Sequence, residues 1–271
     1  MKLLLTAAIA ISLAFGTEQA VAQDFDKGLA AAEAGDFETA LAEWLPLAEA
    51  GNVDAQFGIG AIYHDGTGVP KDYAQAEKWW RLAAEEGQPY AQINLGILYH
   101  NGVAVTQDYS EAAKWYGMAA EQGNSVAQNS LGVMYRRGDG VPQSDVEAVK
   151  WYRLAAEQGL REAQFNFGMM YEFGHGVPQN NAEALKWHQL AANQGHPGAA
   201  KRIGAAFENG WSVLQDYRKA HMWYNISSAN GSEDAGQSRD AIAAKMTPEE
   251  VSEAQAMANT CVSSDYGDCG W

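Results

Sequence analysis

Six histidines, two cysteines and an excess of carboxylates are the side chains of this 271-residue chain with chemistry to offer. His64 and His100 stand 36 residues apart, which here is one structural period, so two imidazoles could face each other across neighbouring helices and share a metal. No third ligand joins them: the positions one, two and three periods beyond His100 are Arg136, Glu172 and Glu208. His175, His188, His196 and His221 fall in four other columns, as scattered or partly packed histidines do. The only cysteines, Cys261 and Cys269, lie in the tail CVSSDYGDCGW, where their spacing matches neither a redox CxxC nor a zinc-ligand pattern. In an oxidising compartment they read as a structural disulfide that pins a terminus prone to fraying, contributing roughly 2–3 kcal/mol on the loop-entropy model. HExxH, GxSxG, SxxK, the Walker loop and GxGxxG are all missing, and the carboxylates read as helix caps and solvated faces. The expectation is therefore a protein without catalysis, metal or cofactor.

The elements behind these positions come from one unit written five times. Copies span 51–86, 87–122, 123–158, 159–194 and 195–230, each opening on glycine, and a degenerate sixth begins at Gly231. A fixed period of this kind marks a repeat array in which each unit buries its apolar face only against its neighbours. Within the first copy, Ala55, Ile59, Ile62 and Tyr63 have the spacing of an amphipathic helix over 52–64. DGTGVPK then supplies Gly66 and Gly68 for positive φ, and Pro70 prevents the helix from continuing. A second helix opens at Asp72, whose counterparts Asp108, Ser144, Asn180 and Asp216 are all capping residues. Three residues on, Gln75, Glu111, Glu147 and Glu183 predict a capping box in four of the five units.

Three columns read as core. Ala76, Ala112, Ala148, Ala184 and Ala220 allow close approach, and Trp79, Trp115, Trp151, Trp187 and Trp223 fill the space beside them. The next position is Trp80, Tyr116, Tyr152, His188 and Tyr224. Gly60, Gly96, Gly132, Gly168 and Gly204 interrupt the first helices at about 1 kcal/mol each relative to alanine, a cost that tight helix packing would offset. At the ends, residues 23–50 read as a shorter helix pair split at Gly35-Asp36. Residues 231–271 read as a capping element with Arg239 and Asp240 turned to water and a last helix opened by Thr247-Pro248-Glu249-Glu250.

The pattern resembles the Sel-one-like repeat family, a branch of the tetratricopeptide-like α/α repeats. Ala91, Gln92, Leu95 and Gly96 carry its AQxxLG, followed by Tyr99, Gly102, Ala112, Trp115, Tyr116, Ala119 and Ala120. The GVP of Gly68, Val69 and Pro70 returns at 140–142 and 176–178, and the likeness weakens in the fifth copy, where Ala200 replaces the glutamine and Leu214 the proline. The resemblance implies an all-α protein, a right-handed α/α superhelix (solenoid) of about 14 helices. It also implies adaptor or scaffold work, including complex assembly, bacterial signalling and host contact, with partners docked on the concave side lined by the first helices. Some cysteine-rich relatives are linked to β-lactam binding or slow hydrolysis, but they carry a cysteine pair in every repeat, which residues 51–230 lack.

On that surface three columns form one stripe by their spacings of four and three residues. They are Phe57, Ile93, Asn129 and Phe165; then Ala61, Ile97, Val133 and Met169; then His64, His100, Arg136 and Glu172, with Lys201, Ala205 and Glu208 continuing them. The stripe is a candidate partner-binding groove with an apolar floor and a charged lip, and equally a thickening of the core between repeats. Trp211, in a loop column otherwise holding Thr67, Val103, Asp139 and His175, is a second exposed-aromatic candidate. A formal charge of -16 opposes nucleic acid and anionic membranes. Residues 1–22 read as a secretory leader with Lys2, an apolar run to Phe15 and cleavage after Ala22, and no later stretch is apolar enough for membrane insertion. The chain thus reads as an exported, periplasmic scaffold for a protein or peptide partner. The alternatives are a cell-wall-directed β-lactam-binding protein or weak hydrolase, and a glycan- or peptidoglycan-binding module.

Overall fold

A computed structural model describes residues 18–103 and 105–270, and side-chain surroundings from Phe25 onward. The leader falls largely outside the described residues, although 18–22 are helical. Fourteen α-helices and no strand occur among the described residues. They form two compact units divided between Gln107 and Asp108.

The first unit holds α1 (Glu18–Glu33), α2 (Phe37–Glu49), α3 (Val53–Asp65), α4 (Tyr73–Glu85) and α5 (Pro89–Asn101). Each packs on the next in sequence. The α1–α2 pair turns at Gly35 with φ 80°, and Trp44 anchors it by donating its indole N–H to the Phe25 carbonyl at 3.1 Å.

The second unit holds α6 (Tyr109–Glu121), α7 (Ser125–Arg137), α8 (Asp145–Glu157), α9 (Arg161–Phe173), α10 (Asn181–Ala192), α11 (Pro197–Asn209), α12 (Tyr217–Ala229), α13 (Glu233–Ala243) and α14 (Pro248–Ser263). Its helices pack in sequence as far as α13, and α14 folds back on α12. There Ile242, Ala258, Cys261 and Cys269 join the buried cluster around Met222 and Trp223. The two sulfurs stand at disulfide-bonding distance, with Cα atoms 4.5 Å apart, and Tyr266 ties the tail to Asn230 at 3.0 Å.

Every second helix of a repeat begins at its expected cap: the side chains of Asp72, Asp108, Ser144, Asn180 and Asp216 each accept from a backbone N–H in the first turn. The predicted capping boxes do not follow. The cap's own N–H, which the box residue was to satisfy, is donated across the helix pair instead, to Tyr63 from Asp72, Tyr135 from Ser144 and Tyr171 from Asn180, at 2.8–2.9 Å; Asp216, whose copy has no box residue, likewise donates to Phe207 at 3.0 Å. Freed of that role, Glu147 and Glu183 reach forward to Lys150 and Lys186. Among the described helices α14 shows the reciprocal box, between Thr247 and Glu250.

The alanine column is buried throughout, as is the aromatic column beginning at Trp80. The mid-helix glycines exist for those rings. A Cβ at Gly60 would lie 2.3 Å from Trp80, at Gly132 2.7 Å from Tyr152, and at Gly204 2.8 Å from Tyr224, all closer than atoms can approach. The tryptophan column behaves differently from the expectation of uniform core: Trp79, Trp115 and Trp223 are buried, but Trp151 and Trp187 are only half-buried. Adjacent helix positions point about 100° apart, so the ring that meets the glycine is enclosed in every copy, while its predecessor is enclosed in three and half-open at Trp151 and Trp187.

Candidate functional site

The first-helix stripe is assembled in each unit from side chains held at different depths. In the first unit Ala61 and Ile93 are buried, whereas Phe57, Ile97, His64 and His100 are half-buried. Phe57 accepts the Trp80 indole N–H through its carbonyl at 3.2 Å and lies 6.2 Å from the Tyr90 ring. His64 packs its ring against Trp80 and Tyr73, and its Nδ1 meets the Asp65 carboxylate at 2.8 Å.

In the second unit Asn129 accepts from Asn166 at 2.9 Å, Val133 and Met169 are half-buried, and Arg136 is exposed. Phe165 stacks on His196 with ring centres 4.4 Å apart and touches His188 at 5.5 Å. Glu172 is not a free carboxylate at a lip. It accepts from the buried His188 Nε2 at 3.1 Å and from Arg202 of the next repeat at 3.1 Å. Glu208 repeats the arrangement one period on, accepting from Tyr224 at 2.7 Å and pairing with Lys245 at 3.4 Å. The position thus caps the polar end of the enclosed ring beneath it.

Burial sets the protonation of these rings. It pushes the Tyr152 phenol up to about 12, with the nearby Arg136 charge opposing it without closing a hydrogen bond. His188 is held below the ordinary histidine value by burial, which outweighs the Glu172 carboxylate. His196 is lowered by burial as well, and its Nδ1 must stay unprotonated to accept the Ala199 N–H that begins α11. Among the described residues no three His, Cys, Asp or Glu side chains gather as metal ligands would.

One structural role escaped the sequence reading. The glutamine of each AQ pair is buried and donates to the carbonyl that ends the preceding helix: Gln56 to Ala48, Gln92 to Ala84, Gln128 to Ala120 and Gln164 to Ala156. Gln158 and Gln194, which close the same copies, then donate to Gln128 and Gln164 at 2.7 and 2.8 Å. In the fifth copy, which lacks the glutamine, the Ser227 hydroxyl donates to the Pro197 carbonyl instead. The signal was a polar residue recurring inside an apolar column.

The glutamine junction recurs in four successive copies, and the Sel1 repeat profile matches at 53–88, 89–124, 125–160, 161–196 and 197–232, the same period framed two residues later than the glycine-initiated units. The chain belongs to the Sel1 repeat family. Sel1 repeat proteins are generally protein-interaction scaffolds, and the fold is typically non-catalytic. Among solved structures it is similar to c5321, a protective antigen of uropathogenic Escherichia coli displaying an SLR fold. The TM-score is 0.80 and the identity 32%, over 90% of this chain and 55% of that one. It is also similar to a Sel1 repeat protein from Oxalobacter formigenes, with a TM-score of 0.78 and 30% identity over 87% of this chain and 99% of that one. The Sel1 chain described here therefore spans just over half of the antigen. No curated protein matches it in sequence. None of its described helices is long and apolar enough to cross a membrane.

Proposed function

We propose that this Sel1 repeat protein is an exported, periplasmic adaptor that holds a protein or peptide partner along the first-helix stripe without transforming it. The observation that carries the reading is the half-buried state of Phe57 and Ile97 in one unit and of Val133, Phe165 and Met169 in the other. Apolar side chains left partly open on successive repeats are what a docking partner would finish burying. The leader-like start, the paired cysteines and the likeness to a protective antigen support export. A β-lactam-directed activity gains nothing from the structure, because the described cysteines are confined to the C-terminal pair.

The test is crosslinking capture from the native envelope with the unaltered chain and with Ile97→Gln plus Met169→Gln. Both sites are half-buried, so the helical circular dichroism should persist while the captured partner is lost. Undiminished capture by the folded double variant would remove the stripe from consideration.

A further inference from the structure

The second helices carry an apolar column that the fold leaves open in successive repeats and closes at the last. Leu154 of α8 and Leu190 of α10 are 45% and 46% exposed. Met118 of α6 is half-buried in the same column, and the exposed Leu82 holds it in the first unit. Four residues before each stands an exposed lysine, at Lys78, Lys114, Lys150 and Lys186. A single exposed leucine is ordinary, but a row of them at the repeat period is a surface. Trp211 and Leu214 are exposed as well, on a loop whose aromatic and leucine no other copy repeats.

In α12 the same two positions are Met222 and Ile226, and both are buried. They share a cluster with Ala258 and Cys261 of α14 and with Cys269 of the tail, and Met222 lines a seam with Ala256, Met257 and Thr260. Where methionine replaces the lysine, the chain supplies its own covering helix; where the lysine remains, the face stands open. The cover is also acidic. α14 holds Glu249, Glu250 and Glu253 and no basic residue, and Glu253 accepts from Arg218 of α12 at 3.1 Å. Beyond α14 the tail continues the contact, with Asn230 donating to the Tyr266 hydroxyl at 3.0 Å. Gln194, one period before Asn230, donates instead to the Gly159 carbonyl at 3.0 Å, which draws the ends of α8 and α10 together.

We propose that the exposed faces of α8 and α10 form a docking surface for one acidic amphipathic helix of a partner protein, packed as α14 packs on α12. Its apolar stripe would cover Leu154 and Leu190, and its carboxylates would accept from Lys150 and Lys186. Glu147 and Glu183 each take one donor of those ammonium groups, and an ammonium has three. The surface is built from second helices, so it is separate from the first-helix stripe. An adaptor using both would hold two partners at once.

The probes are fluorescent helical peptides, acetylated and amidated, titrated against the whole chain by anisotropy. One has Leu at helical spacing with Glu along both borders, the second has Lys in place of Glu, and the third scrambles the first. The Glu-bordered helix should bind about tenfold or more tighter than its scrambled form. It should also bind tighter than the Lys-bordered helix at low salt, and the two should converge as salt rises. Leu154→Gln plus Leu190→Gln changes exposed positions alone, so helical circular dichroism should persist while binding falls about tenfold. Ile97→Gln plus Met169→Gln, on the first-helix stripe, should leave probe binding as it is. Equal binding of the scrambled peptide, preference for Lys borders, full binding by the folded Leu154 and Leu190 double variant, or no binding by any probe would each overturn the proposal. So would a dimer of the unaltered chain in sedimentation that this variant dissociates, because a second copy would then be the cover.

Discussion

Gly117 and Gly132 both sit inside helices, and the same substitution should move them in opposite directions. A Cβ on Gly117, in α6, meets nothing within 4 Å. Gly117→Ala therefore gains only the helix-propensity difference, about 0.5–1 kcal/mol of stabilisation. A Cβ on Gly132, in α7, would lie 2.7 Å from Cδ1 and Cε1 of Tyr152 and 3.3 Å from the Ala148 carbonyl oxygen. Tyr152 is fully buried, so its ring has no open space to retreat into. Overpacking costs about 1–3 kcal/mol, which outweighs the propensity gain and leaves Gly132→Ala about 1–2 kcal/mol destabilised. Urea titration followed by circular dichroism reads both variants. Because repeat arrays need not unfold in one step, hydrogen exchange at the α7–α8 pair should accompany it. Tyr152→Ala by itself should cost about 3–5 kcal/mol, and adding Gly132→Ala to it should cost less than it does in the unaltered chain, since the obstructing ring is gone. Stabilisation by Gly132→Ala, or strict additivity in the pair, would refute the ring-against-glycine account of the column.

Other expectations follow from burial. Trp151→Ala should lose clearly less stability than Tyr152→Ala, because Trp151 is half-exposed at the seam; equal losses in urea would contradict the assignment of the enclosed ring. Acid should weaken the second unit through His188. Its folded-state affinity for protons is lowered, so the unfolded chain binds more of them below about pH 6.5. That stability is fully present above this pH and is lost as pH falls from it toward the folded-state value. His188→Tyr places there the residue that meets Glu208 at Tyr224, and should flatten part of the profile while the lowered His196 and His221 keep the rest. An unchanged profile in thermal melts across that range would exclude His188 as a contributor.

Local chemistry written into the sequence determined the period, the helix pairs and the capping residues that start the second helices. Caps act within one turn, and glycine's freedom at Gly66 and Gly102 belongs to the residue itself, so neither depends on distant partners. The resemblance to Sel-one-like repeats was readable for the same reason, since identical short-range patterns recur at a fixed interval. Tertiary packing decided the rest. Glu147 and Glu183 were free to serve elsewhere because the preceding helix supplied a carbonyl to the cap N–H of Ser144 and Asn180. Which of two adjacent aromatics is enclosed depends on how the second helix is rotated against its partner, and the buried glutamines acquire their acceptors only when helices from successive repeats meet. The Glu172–His188–Arg202 contact joins side chains up to 30 positions apart. No periodicity within a single helix records that they touch, because the contact joins three helices, the last of them in the next repeat.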